Sequence, residues 1–239
     1  MSKLEHSTAR SAIVSVVIPT LNEVDTIEAV IAAVPPTLAR EVIVADGGST
    51  DGTRERAVAA GARVLALGRG YGRACAAGAE AADGASTILV FLDGDGADRT
   101  DLMARLVAPI ARGEQDFVLA TRTGGGREPG AMAWHQVLAG HLAGIAMGLF
   151  YGVTYTDMCA FRAIHRDALA GLRLRDKGYG WNVEMQMMAA RAGLRIMEVR
   201  LPYRRRAGGR SKVAGSFWGS LRAGLRIAAT MLRVALVPR

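Results

Sequence analysis

Over the first 122 residues, apolar positions come in short β-rich runs separated by stretches in which they recur three and four apart. The runs at 13–18, 41–45, 63–67, 87–92 and 117–120 predict strands. The stretches at 26–34, from about Thr53, near 72–82 and near 101–111 predict helices. Strand–helix alternation of this kind predicts an α/β fold with a mostly parallel central sheet flanked by helices. Ligands bind such sheets at the carboxyl ends of the strands. Polar clusters occupy those ends here: Asn22-Glu23, Asp46-Gly47-Gly48-Ser49, residues 68–72, Asp93-Gly94-Asp95 and Arg122.

The pattern then changes. Residues 130–156 contain no Asp, Glu, Lys or Arg, and Gly140, Gly144, Gly148 and Gly152 recur every fourth position. Such a small-residue ribbon lets another backbone approach closely, as an internal contact or as the seam of a homodimer. Its length could span a bilayer. A single span would separate Asp93 from the basic segment after residue 203, so a buried or membrane-apposed helix is the better reading. A helix is expected near 180–192, one or two strands over 195–203, and a loop, RRRAGGRSK, at 204–212. The last helix, 217–237, sets Leu221, Leu225, Ala228 and Leu232 on one face with Arg222, Arg226 and Arg233 interspersed. This basic amphipathic pattern suits a membrane interface or a seat on the protein's own core.

Charge sharpens the division. The chain has 239 residues, 50% hydrophobic and 22% charged, which excludes a disordered polypeptide and predicts one domain with an appendage. The formal charge is +8, but residues 191–239 alone hold 12 Lys/Arg against one acid, Glu198. The first 190 residues are therefore slightly acidic, and the basic end is suited to phosphates or to an anionic membrane surface. A nucleic-acid partner is not expected, because 204–216 lack the aromatic residues of a stacking surface and the rim is acidic. Two cysteines exclude a disulfide framework and a Cys-rich zinc module, pointing to a reducing compartment. The first apolar run reads as a strand and not as a signal peptide.

Asp93-Gly94-Asp95 places two carboxylates around a glycine just after an apolar strand. That arrangement suits Mg2+ or Mn2+, which take one or two protein carboxylates and complete their shell with water and phosphate. In DGGSTDGT, Asp46 ends a strand and can accept from a base or ribose, Gly47 and Gly48 allow close backbone approach, and Ser49 and Asp51 suit helix N-caps. The turn Gly68-Arg69-Gly70-Tyr71-Gly72-Arg73 ends in Arg73 where a dinucleotide fingerprint has glycine, and it follows the third strand; a phosphate-bearing ligand could still meet Gly70 there. If the acceptor of a transfer were a hydroxyl, a carboxylate would have to take its proton, and Glu184 and Asp157 are the candidates. The four histidines share no metal-ligand spacing, and the methionines read as core.

In order and spacing, VVIPTLNE (16–23), DGGSTDGT (46–53), the turn ending in Gly78, and Asp93-Gly94-Asp95 resemble the GT-A domain of family 2 glycosyltransferases. TDMCAFRAI (156–164), GYGWNVEMQ (178–186), AGLRIMEV (192–199) and YRRRAGGRSKVAG (203–215) resemble the branch that contains dolichyl-phosphate mannose synthase and polyprenyl-phosphate glycosyltransferases. The resemblance implies inverting, metal-dependent transfer of a hexose from a UDP- or GDP-sugar to a lipid phosphate at the cytoplasmic membrane face. Transfer to a soluble hydroxyl or phosphorylated acceptor, and nucleotide binding without turnover, stay open. By resemblance, Pro19, Leu21, Glu23 and Asp46 hold the nucleoside, and Asp93 and Asp95 hold the metal and diphosphate. Arg122 lies near the acceptor phosphate, while Arg206, Ser211 and Lys212 close over the diphosphate or acceptor. A GT-A domain over 1–215 is expected, with a nucleotide-binding half (13–122) and an acceptor-binding half (123–215), followed by the helix of 216–239. Asp46-Gly47 and Gly96-Ala97-Asp98 depart from the usual family motifs, both on the donor side.

Overall fold

A computed structural model describes residues 12–123, 126–132, 151–208 and 217–236, with positions 137, 140, 141, 144, 145, 147 and 148. Its strands are β1 (Val14–Thr20), β2 (Ala39–Asp46), β3 (Arg63–Ala66), β4 (Ile88–Phe91), β5 (Phe117–Thr121), β6 (Arg162–His165) and β7 (Ile196–Arg200). They form a seven-stranded sheet among the described residues, in the order β3-β2-β1-β4-β6-β5-β7. Every neighbouring pair is parallel except those of β6, which runs antiparallel between β4 and β5. The helices are α1 (Ile27–Ala32), α2 (Thr53–Ala59), α3 (Tyr71–Ala81), α4 (Ala104–Ala111), α5 (Arg166–Leu172), α6 (Trp181–Arg191) and α7 (Phe217–Leu236).

The apolar runs are continuous because both faces of the sheet are covered. Val14, Val16 and Ile18 of β1 and Ile88 and Val90 of β4 pack with α1, α2 and α4. Val17, Leu89 and Phe91 point the other way, toward α3 and α6. There Phe91 meets Trp181 edge-on, with ring centroids 5.0 Å apart. Burying one such ring contributes about 1.5–3 kcal/mol.

Strand β6 and helix α5 have no counterpart in the apolar pattern. β6 reads Arg-Ala-Ile-His, and a charged residue at its start masks a buried strand. Arg162 is nevertheless fully buried, because carbonyls take its guanidinium protons: those of Cys159, Ala160 (3.3 Å) and Asn182 (3.2 Å). A buried cation is tolerable only with such partners.

The glycine ribbon serves this chain itself. A Cβ on Gly144 would collide with the Tyr155 carbonyl, one on Gly148 would stand 3.4 Å from Thr154 Oγ1, and Gly140 faces Asp157. The ribbon thus lies against residues 154–157, and no helix among the described residues is long and apolar enough to cross a membrane.

Helix α7 docks on the core through Ile227, Thr230, Met231 and Val234. The leucine face expected from the sequence points the opposite way: Leu225, Leu232 and Leu236 are 64%, 61% and 73% exposed. The side chains of Leu221 and Arg222 lie outside the described residues.

Gly78 brings α3 onto β1, and a Cβ there would collide with the Val17 side chain. Gly171, in α5, has nothing within 4 Å of the same position. Overpacking costs about 1–3 kcal/mol, whereas an alanine in a helix gains about 0.5–1 kcal/mol over glycine. Gly78→Ala is therefore expected to lower unfolding free energy in urea, and Gly171→Ala to raise it.

Candidate active site

The loops after β1 and β2 are stitched together by side chains. Asp46 Oδ1 accepts the amides of Gly48 and Ser49 at 3.1 and 2.9 Å, and Oδ2 accepts the hydroxyls of Ser49 and of Thr20, the latter at 3.3 Å. Gly48 turns this loop at φ 98°, a conformation that favours glycine. Ser49 Oγ accepts the Asn22 amide at 2.8 Å, and Thr53 Oγ1 accepts the Glu23 amide at 2.9 Å. Asp51 accepts from the Thr53 amide, so it satisfies the start of α2 although Gly52 is the N-cap residue. Pro19 is buried opposite Ala45, Leu21 is half-buried, and the Asp46 carboxylate is wholly buried within its own turn.

Past β4 lies an acidic corner. Tyr71 donates to Asp93 Oδ1 at 3.4 Å, and the Asp93 amide donates to Asp98 at 3.2 Å. Burial, and then the charge of Asp95, push the Asp93 carboxyl up to about 6. Asp98, a third carboxylate that the motif reading passed over, is raised well above the usual range by burial and by Asp93 and Asp95. Arg206 answers this charge. Its guanidinium lies 2.8 Å from Asp95 Oδ2 and donates to Glu23 at 3.2 Å, so the loop after β7 crosses the ends of β1 and β4. The backbone holds it there: Ala207 N donates to the Asp95 carbonyl and Arg204 N to that of Ala97, both at 3.1 Å.

Asp93 and Asp95 fit a hard divalent cation. Two neighbouring carboxylates just past the end of a strand can supply one or two ligands and leave the remaining coordination positions to water and phosphate, the usual arrangement for Mg2+ or Mn2+. Among the described residues, no three His, Cys, Asp or Glu side chains converge as a closed metal cage.

The other side of the rim is basic. Arg122 forks onto Asp157, with Nε and Nη2 donating at 2.6 and 2.7 Å and its own amide at 2.9 Å. Burial alone would raise Asp157, but this bidentate bonding outweighs it and holds the carboxyl below its ordinary value. Arg122 also lies over the Tyr203 ring, 5.2 Å from its centroid. Beside it, Thr121, Thr156 and Glu198 form a chain of hydrogen bonds at 2.7 and 2.8 Å. Arg122, Thr123, Arg127, His141 and Thr156 line a cavity of about 450 Å3, with Gly126 and Val137.

Two candidates are placed differently from expectation. Asn182 and Gln186, one helical turn apart on α6, face the rim, donating to Tyr71 Oη at 3.4 Å and to the Asp157 carbonyl at 2.9 Å. Glu184, midway between them, faces away. Its carboxylate accepts the amides of Arg175 (3.0 Å) and Asp176 (2.7 Å) and pairs with Arg233 at 3.0 Å. It is a clamp, not a base at the rim. Gly70 likewise meets protein where a ligand was expected, since a Cβ there would stand 2.5 Å from the Lys177 carbonyl. The first α3 amides, of Gly72 and Arg73, already donate to the carbonyls of Gly178 and Lys177 at 3.1 Å, so this helix start is capped by protein. Asp157 is at the rim with its oxygens committed to Arg122 and to the Met158 amide. Ser211 and Lys212 lie outside the described residues. Thr123 and Arg127 reach the site without a motif to mark them, and Tyr71, Asn182 and Thr156 stand inside the quoted motifs but had no role assigned there.

Residues 15–173 match the family model described as Glycosyl transferase family 2. The chain is 35% identical over 211 residues to an uncharacterized glycosyltransferase of Mycobacterium tuberculosis, covering 87% of this chain and 93% of that one. It is 30% identical to an undecaprenyl-phosphate mannosyltransferase of Micrococcus luteus, over 85% of this chain and 88% of that enzyme. The crystal structure of glucosyl-3-phosphoglycerate synthase from Mycobacterium tuberculosis with Mn2+, uridine diphosphate and phosphoglyceric acid superposes with a TM-score of 0.74 at 28% identity, over 95% of this chain and 80% of that one.

The Arg122–Asp157 pair is buried on its acidic side, with Asp157 3% exposed. Removing one partner of a buried pair costs about 3–5 kcal/mol, because the other charge is left without compensation. Asp157→Ala should lose stability on that scale in chemical denaturation, and Arg122→Met added to it should recover part of the loss.

Proposed function

The chain belongs to glycosyl transferase family 2 and is a glycosyltransferase of GT-A fold; from this we propose that it transfers a hexosyl group, with inversion, from a UDP- or GDP-linked sugar to the phosphate of a polyprenyl phosphate. One observation carries the reading. A basic, hydroxyl-lined cavity at Arg122 and Arg127 adjoins an acidic corner at Asp93 and Asp95, so a phosphate acceptor and a cation-bound diphosphate each have a site of matching sign. The similarity to an undecaprenyl-phosphate mannosyltransferase supports a lipid acceptor.

In this reading Pro19, Leu21, Glu23, Asp46 and Gly48 shape the nucleoside side. Mg2+ or Mn2+ held by Asp93 and Asp95 would supply positive charge to the diphosphate as it leaves. Arg206 adds charge at the same place, where it favours the transition state over the ground state, and Ser211 and Lys212, which follow it in the sequence, are proposed to close over the diphosphate or acceptor. Arg122, oriented by Asp157, holds the acceptor phosphate. An acceptor oxygen forms the new bond to the anomeric carbon as the bond to the diphosphate breaks, the electron pair departing with the diphosphate. A phosphate monoester has a second pKa of about 6 and is mostly dianionic near neutrality, so no strong base is needed. That agrees with Asp157 and Glu184 both being committed to other partners.

The outward leucines of α7, flanked by arginine, supply a peripheral contact with an anionic membrane at its cytoplasmic face. A soluble phosphorylated acceptor in the same cavity is the second reading, favoured by the likeness to glucosyl-3-phosphoglycerate synthase.

A panel of radiolabelled UDP- and GDP-sugars with Mn2+, offered polyprenyl phosphate or 3-phosphoglycerate, tests the assignment. Transfer to the lipid is expected to fall about a hundredfold or more in Asp95→Ala, and undiminished metal-dependent transfer in that variant would overturn it. Arg122→Met should raise the KM for the acceptor about tenfold or more while leaving that for the donor near its original value. Each buried leucine contributes about 1.5–3 kcal/mol. Leu232→Glu with Leu236→Glu should therefore abolish cosedimentation with anionic vesicles.

A further inference from the structure

The two glycine motifs, at 68–73 and 178–181, are locked into one another, and α7 fastens the lock. A Cβ on Gly72 would collide with the Asp176 carbonyl, and one on Gly180 with Thr230 Oγ1 of α7. A Cβ on Gly178 would stand 3.0 Å from Arg226 Nε, also of α7. Each of these glycines is where one segment passes through the space a side chain would need.

The hydrogen bonds run in series. Thr230 Oγ1 donates to Asp176 Oδ2 at 2.8 Å, and Arg233 donates to Glu184 at 3.0 Å while lying 3.9 Å from Asp176. Asp176 and Glu184 are almost wholly buried, and their ion pairs among the described residues are all with arginines of α7. So neutralised, Asp176 Oδ1 accepts the Gly178 amide at 2.7 Å, and Glu184 Oε2 accepts the amides of Arg175 and Asp176. The loop shaped this way presents the Lys177 and Gly178 carbonyls to the first amides of α3. Tyr71, at the head of α3, then reaches Asp93 with Asn182 on its other side.

We infer that the C-terminal helix is a positioning element of the donor site: Arg233 and Thr230 hold Glu184 of α6 and Asp176 of the loop before it, and that loop sets the turn that carries Tyr71 to Asp93. The inference rests on reading Asp93 as part of the donor site. It deepens that reading by making α7 serve two surfaces. The leucine face meets the surroundings, and the arginine–threonine face sets the geometry beneath the diphosphate. Burying two carboxylates side by side without a cation is costly, so loss of α7 charge releases the loop before it unfolds the sheet.

Full-length Arg233→Met, Thr230→Val and Arg233→Lys are compared with the unsubstituted chain by hydrogen exchange, by calorimetry with UDP or GDP and Mn2+, and by steady-state kinetics. Exchange at the amides of Gly72 and Arg73 should quicken about tenfold or more in Arg233→Met and less in Thr230→Val. Amides of β1 and β2 should exchange at their original rates. KM for the donor and Kd for the nucleoside diphosphate should rise about tenfold, with KM for the acceptor unchanged, and Arg233→Lys should restore most of both. Unchanged exchange at 72–73 together with an unchanged donor KM would overturn the inference, as would a loss of exchange protection spread evenly over the sheet. If the unsubstituted chain binds neither nucleotide, the donor-site reading falls, and the exchange arm still decides whether α7 holds the turn.

Discussion

Asp93, Asp95 and Asp98 stand within six residues at the buried end of β4, and their mutual repulsion must be offset for the fold to close. Three arginines act on Asp93: Arg122 from the end of β5, Arg206 from the loop after β7, and Arg162 from β6. All three come from later in the chain than the acids they offset. Segments that follow β4 in the chain therefore close over its end partly because their cations answer this charge. A hard cation at Asp93 and Asp95 would answer the same charge, which links the stability of this corner to what it binds.

The site divides by sign as a result. Where the acids crowd, the open coordination positions suit a cation and a diphosphate. Where Arg122 is held flat by Asp157 and stacked on Tyr203, its forked geometry suits a phosphate. Asp157 is worth more as the anchor of that guanidinium than as a proton acceptor, because a carboxylate with both oxygens engaged by a bidentate arginine has little basicity to offer.

Helix α7 is amphipathic in an unusual sense. Its docked face joins the apolar Ile227, Met231 and Val234 to Thr230 and Arg233, which reach buried acids, and a second apolar row, Leu225, Leu232 and Leu236, lies opposite. A hydrophobic pattern on a helix identifies the two faces but not which of them is turned inward. Here the decision falls to Asp176 and Glu184, whose burial requires cations that α7 supplies.

The strands, most of the helices and the polar rim could be read from residue order alone. Strands covered on both faces require unbroken apolar runs, and a motif such as Asp93-Gly94-Asp95 is local, its residues two apart. Strand β6 escaped that reading because Arg162 is satisfied by carbonyls brought to it by folding. Likewise, the sequence marked Glu184 and Asp157 as acids near the chemistry, but their partners lie 49 and 35 residues away in the chain. Residue order marked Gly70 for a ligand and assigned Gly72, Gly178 and Gly180 no packing role; that these glycines approach one another's segments, and α7, was not legible in it. Residue type and short-range period determine which groups a strand end or helix face can present. Which partner each group finds is decided by contacts between distant segments, and only the tertiary structure contains those.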